Sequence, residues 1–171
     1  MKDFREFDFR AITHVFTDFD GVLTDNKVYV DDTGRETVRC SRADGIGVQL
    51  LQAEDIEVII LSSEENEVVE RRADKLGVTA LTGLRQAHQK ADAIKRFCDP
   101  KNAVFIGNDL NDVGALRCVG FPIIVFDAHP SLLEEFSGLP LHDHQTVAKG
   151  GDGAFREVAE YILRMRRERG D

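Results

Sequence analysis

The chain has 171 residues, a length that suits one domain spanning 1–171, and 42% of them are apolar, too many for a disordered chain. A net charge of −9 argues against a general binder of nucleic acid or of a membrane surface, because both partners are anionic. Cys40, Cys98 and Cys118 are far apart and show neither a zinc spacing nor a disulfide framework, so free thiols in a reducing cytoplasm are expected.

The first ten residues, "MKDFREFDFR", are charged throughout and do not read as a secretory signal. No apolar run approaches the length of a membrane span. "AITHVFTDF" reads as a strand, and "KVYVDDTGRETVRC" as two strand-like pieces around the turn Asp32-Thr33-Gly34. Ile46, Leu50 and Leu51 recur at helical spacing, which places a helix after Asp44. "IEVIILSS" is a nearly continuous apolar run of the kind buried on both faces of a parallel sheet. "ENEVVERRADKLG" reads as a helix stopped by Gly77. A short strand "VTALTG" and a helix "HQKADAIKRFC", ended by Asp99-Pro100, follow. "NAVFIGND" is a second buried strand, "LNDVGALRCVG" a short helix and "FPIIVFDA" a further strand. "PSLLEEFS" is a short helix, and "GAFREVAEYILRMRRERG" a long last one whose basic end complements the helix dipole. Strands alternating with helices predict an α/β fold with a doubly wound, Rossmann-like parallel sheet. The segment of about 25–39 stands out from it as a hairpin.

In such a sheet, ligands bind beyond the carboxyl ends of the strands. Asp18 and Asp20 follow the first strand, with Thr24 just after them. Ser62, Ser63 and Glu64 follow "IEVIIL". Asn108, Asp109 and, one turn later, Asp112 follow "NAVFIG", and Lys90 opens the helix before that strand. Clustered carboxylates need a hard cation, for which magnesium is suited. Serine hydroxyls and an ammonium suit a phosphate. One carboxylate can attack phosphorus, and a second, two residues on, can protonate the leaving oxygen. Taken singly, each residue has an ordinary explanation. Asp18 could be a turn residue, Ser62-Ser63 a helix cap and Lys90 a solvated side chain. Their coincidence at one sheet edge favours chemistry. His88, His129, His142 and His144 share neither a helical face nor a strand end and are not expected as ligands.

"FTDFDGVLTD" resembles the first motif of the haloacid dehalogenase (HAD) superfamily of phosphotransferases, Asp-x-Asp-Gly-x-x-Thr. "VIILSS", Lys90 and "FIGNDLNDVGAL" resemble its second, third and fourth motifs, in order and over most of the chain. Between Asp18 and Ser62 there is room for a hairpin and one helix, not for a large cap. Together with "DGIGVQLL", "DAHP" and "GGDGAFREV", this resembles the capless sugar-acid phosphatases. Those act on 3-deoxy-D-manno-octulosonate (KDO) 8-phosphate or on sialic-type acid 9-phosphates, and a related module is fused to some CMP-sialate synthetases.

The resemblance implies Asp18 as nucleophile and metal ligand. It implies Asp20 as acid/base and, through its carbonyl, as a ligand, and Asp109 as the third ligand. Asp112, Asn108 and Thr24 support the site, Ser62, Ser63 and Lys90 bind phosphate, and Mg2+ is the cofactor. It also implies a homotetramer assembled through the hairpin, acting on a phosphorylated eight- or nine-carbon sugar acid. A catalytically quiet oligomerisation module, or a phosphatase of another small ester, is the alternative; the intact Asp18–Asp20 pair favours the enzyme. Two departures stand out. Ser62-Ser63-Glu64 replaces a usual Thr-Gly-Arg, and Asp152 stands where an arginine is usual in the tail. The first of these is nearer the nine-carbon branch.

Overall fold

The computed structural model describes residues 7–168. The first apolar run forms β1 (His14–Thr17). The hairpin follows as β2 (Thr24–Val30) and β3 (Glu36–Cys40), an antiparallel pair in which Thr24 lies opposite Cys40 and Val28 opposite Val38. Its turn is held by Asp31, whose Oδ1 accepts from the N–H groups of Thr33 and Arg35.

The first helix, α1 (Arg42–Gln52), starts earlier than its apolar spacing indicates, because Ser41 caps it by accepting from the Ala43 N–H. Asp44 therefore lies inside the first turn, buried, and accepts from the Arg156 N–H. β4 (Glu57–Leu61) is buried after its first residue. α2 (Glu67–Leu76) is capped by Asn66, not by Ser62 or Ser63, and Gly77 ends it. β5 (Thr79–Leu81) and α3 (Ala87–Phe97) follow, then β6 (Ala103–Gly107), buried throughout.

The helix read over 110–120 is split. A 3-10 turn, Leu110–Asp112, precedes α4 (Val113–Cys118). The Asp112 carboxylate turns back to accept from the Asn108 N–H, which tightens the first turn. β7 (Phe121–Ile124) is shorter than expected. α5 (Pro130–Glu135) follows, as does α6 (Leu141–His144), which apolar spacing did not announce. The chain closes with α7 (Ala154–Glu168).

The sheet is wholly parallel, in the order β5-β4-β1-β6-β7. The chain winds from β1 outward to β5, then returns past β1 to β6 and β7. Right-handed crossovers send α1 and α2 to one face and α3 and α4 to the other. The helix packing agrees: α1 lies on α7, and α3 on α4. The order reverses at β1, which opens the crevice at its carboxyl end. Register places the residues there. Thr17 pairs with both Ile60 and Ile106, so Asp18 emerges between the ends of β4 and β6, beside Ser62 and Asn108.

Candidate active site

Asp18 continues the β1 ladder by one bond, its N–H donating to the Ile106 carbonyl at 2.9 Å. Its carboxylate is 5% exposed. Oδ1 accepts from the Phe19 N–H at 2.7 Å, and Oδ2 lies 2.9 Å from Lys90 Nζ. The Lys90 ammonium, fully buried, also reaches Asp112 Oδ1 at 2.7 Å. The cluster thus holds one more carboxylate than ammonium groups. Burial, then the Asp18 charge, pushes the Asp112 carboxyl up to about 7. Burial draws Lys90 down, but Asp18 and Asp112 outweigh it and hold the ammonium above its ordinary value.

Asp20 is half-buried. Its Oδ1 accepts from the Thr24 hydroxyl at 3.3 Å, while Thr24 Oγ1 accepts from the N–H groups of Gly21 and Asn26. Burial first, then the Asp18 charge, lifts the Asp20 carboxyl to about 6. The loop that carries it is set by close contacts. Gly21 has φ +81°, and a Cβ there would come within 2.0 Å of Asn108 Nδ2. Gly150 packs on the same loop; a Cβ on it would meet the Gly21 carbonyl oxygen at 2.0 Å.

A cavity of about 590 Å³ opens above these residues. Its floor is Asp18, Phe19, Asp20, Asn108 and Asp109. One wall belongs to the chain's own hairpin, through Asn26, Val28, Glu36 and Val38. The opposite wall is Ser63, Glu64, Asn111 and the start of α2. Glu36 accepts from Asn66 Nδ2 at 2.5 Å, which joins hairpin to helix cap across the mouth. Among the described residues five carboxylates line the cavity, and no lysine or arginine does.

The expected phosphate groups are therefore placed unequally. Ser62, directly after β4, and Lys90, in the first turn of α3, are 1% and 0% exposed and do not reach the cavity surface. Ser62 Oγ accepts from the Glu64 N–H at 3.1 Å, and its own proton has no acceptor among the described residues. Ser63 lines the cavity, but its hydroxyl donates to the Leu84 carbonyl. The backbone N–H groups of Asp20 and Ser63 have no partner among the described residues.

Asn108 Oδ1 is buried and has no hydrogen-bond partner among the described residues. Asp109 lines the cavity while its Oδ1 accepts from the Leu110 N–H. Among the described residues no three His, Cys, Asp or Glu side chains form a metal-binding group. The donors at hand are oxygens of two kinds, carboxylate and amide or backbone carbonyl, which fit a hard divalent cation. Of the histidines, His129 caps α5 and His144 is buried against Phe121. The His142 side chain lies outside the described residues. None of Cys40, Cys98 and Cys118 is in a disulfide among the described residues.

Asn111, Glu36 and Asn66 were not anticipated. Asn111 sits inside the quoted motif, but its partner is 48 positions away. Asp152 does not line the cavity; it pairs with Arg39 at 2.9 Å.

No family model matches the chain. It is 35% identical over 151 residues to the KDO 8-phosphate phosphatase of Yersinia pestis, covering 85% of this chain and 76% of that protein. It superposes on a HAD superfamily hydrolase (subfamily III A) from Legionella pneumophila with a TM-score of 0.84, at 30% identity over 94% of this chain and 87% of that one. The chain belongs to the HAD superfamily. Within it, the chain falls among the capless sugar-acid phosphatases and is a phosphoric monoester hydrolase. A further HAD-type relative, the Moraxella catarrhalis KDO 8-phosphate phosphatase, was solved with a magnesium ion, a phosphate ion and KDO. It matches with a TM-score of 0.81 and 29% identity over 94% of this chain and 91% of that one.

Proposed function

We propose that this HAD phosphatase hydrolyses the phosphate ester of an eight- or nine-carbon sugar acid, with Mg2+, through a phosphoryl group carried on Asp18. One observation carries the reading: a cavity that ends on Asp18 is lined, among the described residues, by five carboxylates and no lysine or arginine. A phosphate dianion cannot settle there unless further positive charge joins it, because the Lys90 ammonium is already shared by two carboxylates.

The Asp18 carboxylate, the Asp20 carbonyl and the Asp109 carboxylate would hold the cation, with Asn108 Oδ1, which has no hydrogen-bond partner among the described residues, beside them. When bound, it neutralises the phosphate and the carboxylates around it. The rest is done by the chain. Asp18 attacks phosphorus, and the bond to the sugar oxygen breaks. Asp20, lifted to about 6, gives that oxygen its proton and then takes one from the water that cleaves the acyl-phosphate. Lys90 holds Asp18 in line, and Asp112 holds Lys90. The N–H groups of Asp20 and Ser63 are the donors left for phosphate oxygens, and Ser62 supports them from beneath by accepting from the Glu64 N–H.

The relatives' substrate, KDO 8-phosphate, supports the sugar-acid class, and Glu64 at the mouth favours the nine-carbon branch. The hairpin exposes Val28, Tyr29 and Val30 at 52%, 65% and 59%, an apolar surface suited to a homotetramer. A phosphate-release screen over KDO 8-phosphate and nonulosonate 9-phosphates, with Mg2+ and after chelation, tests the proposal. Release from a sugar-acid phosphate that chelation abolishes is expected. Equal release after exhaustive chelation contradicts it.

A further inference from the structure

Three loops carry the working residues: the one after β4 with Ser62 and Ser63, the one after β6 with Asn108 and Asp109, and the one between β5 and α3 that leads to Lys90. A single chain of hydrogen bonds joins all three. Asn111 Nδ2 donates to Ser63 Oγ at 2.8 Å, and Ser63 Oγ donates to the Leu84 carbonyl at 3.1 Å. The Leu84 N–H in turn donates to the Ser62 carbonyl at 3.0 Å. Asn111 lies on the 3-10 turn directly after Asp109, so this relay spans from the cation side of the cavity to its phosphate side.

The relay fixes what Ser63 can do. Its one hydroxyl proton goes to Leu84, and its oxygen accepts from Asn111. The hydroxyl is therefore not a free donor, whereas the backbone N–H of Ser63 is unpartnered among the described residues and belongs to a residue lining the cavity.

We infer that Asn111 is a positioning residue: through the Ser63 hydroxyl it holds the peptide N–H of Ser63 in place for an oxygen of the phosphoryl group. The inference rests on the reading of this cavity as the phosphoryl site. Asn111 touches neither substrate nor reacting atoms; it works through Ser63. A neutral hydrogen bond of this kind contributes modestly, so its loss weakens phosphate binding without abolishing turnover.

The experiment is inhibition of p-nitrophenyl phosphate hydrolysis by inorganic phosphate, with the Mg2+-loaded protein and the Asn111→Ala, Ser63→Ala, double and Ser63→Thr variants. Phosphate Ki should rise about three- to tenfold in Asn111→Ala, as expected for one hydrogen bond. The double variant should bind phosphate no more weakly than the weaker single one, because both break the same relay. Ser63→Thr, which keeps both bonds, should recover what Ser63→Ala loses. Calorimetric Mg2+ affinity should stay unchanged in Asn111→Ala, a separation that general loosening of the fold would not give. If Asn111→Ala does not fold, the two Ser63 variants test the relay from its other end. Unchanged phosphate Ki in Asn111→Ala, additive losses in the double variant, or equal Ki in Ser63→Thr and Ser63→Ala would overturn the inference while leaving the site reading intact. Failure of phosphate to inhibit the unaltered protein would overturn both.

Discussion

Arg39 and Asp152 stand 113 positions apart in the chain, yet the guanidinium Nη2 lies 2.9 Å from the carboxylate Oδ1. The same guanidinium donates through Nε to Asp25 Oδ2 at 3.2 Å. The foot of the hairpin is thus tied to the glycine loop before α7, and that loop supports Gly21 and the turn carrying Asp20. The negative charge at position 152 is matched within the chain. Exposed pairs contribute little to global stability, so the effect should be local. Asp152→Arg sets two guanidinium groups against each other and should speed amide exchange at Gly151, whose N–H donates to the Val22 carbonyl. Exchange mass spectrometry over 149–156 reads this, and unchanged protection would show that the tie does not hold the loop.

Lys90 gives a test of stability. Lys90→Met leaves Asp18 and Asp112 buried without their counter-charge. Breaking a buried pair in this way costs on the order of 3–5 kcal/mol. Urea unfolding at neutral pH should show the loss, and adding Asp112→Asn should return part of it. A variant as stable as the parent would mean that the ammonium does not compensate these carboxylates.

Asp44 makes stability depend on pH. It is wholly buried, and Oδ2 has no hydrogen-bond partner among the described residues. Burial, its largest influence, lifts the carboxyl from 3.8 to about 6. Between those values the folded chain keeps a proton that the unfolded chain has released. The stabilisation is therefore complete below the lower value and fades as pH rises through the upper one, by roughly 3 kcal/mol at most. Asp44→Asn keeps an oxygen for the Arg156 N–H and removes this titration. The fall in unfolding free energy from pH 5 to pH 8 should be smaller in the variant than in the parent; equal falls would exclude Asp44 as a source.

The sheet was legible because its strands are short apolar runs, and alternation with helical spacing implies parallel crossovers. "VIIL" and "AVFIG" are buried as read. Helix starts were less legible, because they depend on caps. Ser41 opens α1 three residues before the apolar pattern does, and Asn66 rather than a serine opens α2. The floor of the cavity could be anticipated, since each of its carboxylates follows a strand. Its walls could not. Glu36 meets Asn66, and Asn111 meets Ser63, only after the hairpin and the loops have folded over 30 and 48 positions. Nor does an asparagine in a motif announce that its oxygen will be buried without a partner among the described residues, as Asn108 Oδ1 is.

The hairpin predicts an assembly. A two-stranded pair is marginal alone in water, and Tyr29 and Val30 are 65% and 59% exposed. Tyr29→Lys with Val30→Lys should lower the mass measured by light scattering from that of the parent oligomer while leaving the far-UV circular dichroism unchanged. A parent that runs as a monomer, or a variant with the parent's mass, would remove the hairpin from the interface.

In the proposed reaction Asp18 receives the phosphoryl group. Asp18→Asn should reduce turnover at least about a thousandfold, roughly 4 kcal/mol of barrier, but turnover alone does not locate the covalent step. Acid quench of the Asp20→Asn variant during a single turnover does so more directly, because loss of the base slows hydrolysis of the acyl-phosphate. Peptide mass spectrometry should then find one added phosphoryl group on the peptide containing Asp18, absent when Asp18 is also changed to Asn. Turnover in the Asp20→Asn variant with no phosphorylated peptide, or with the group on another residue, would show that Asp18 does not carry the phosphoryl group.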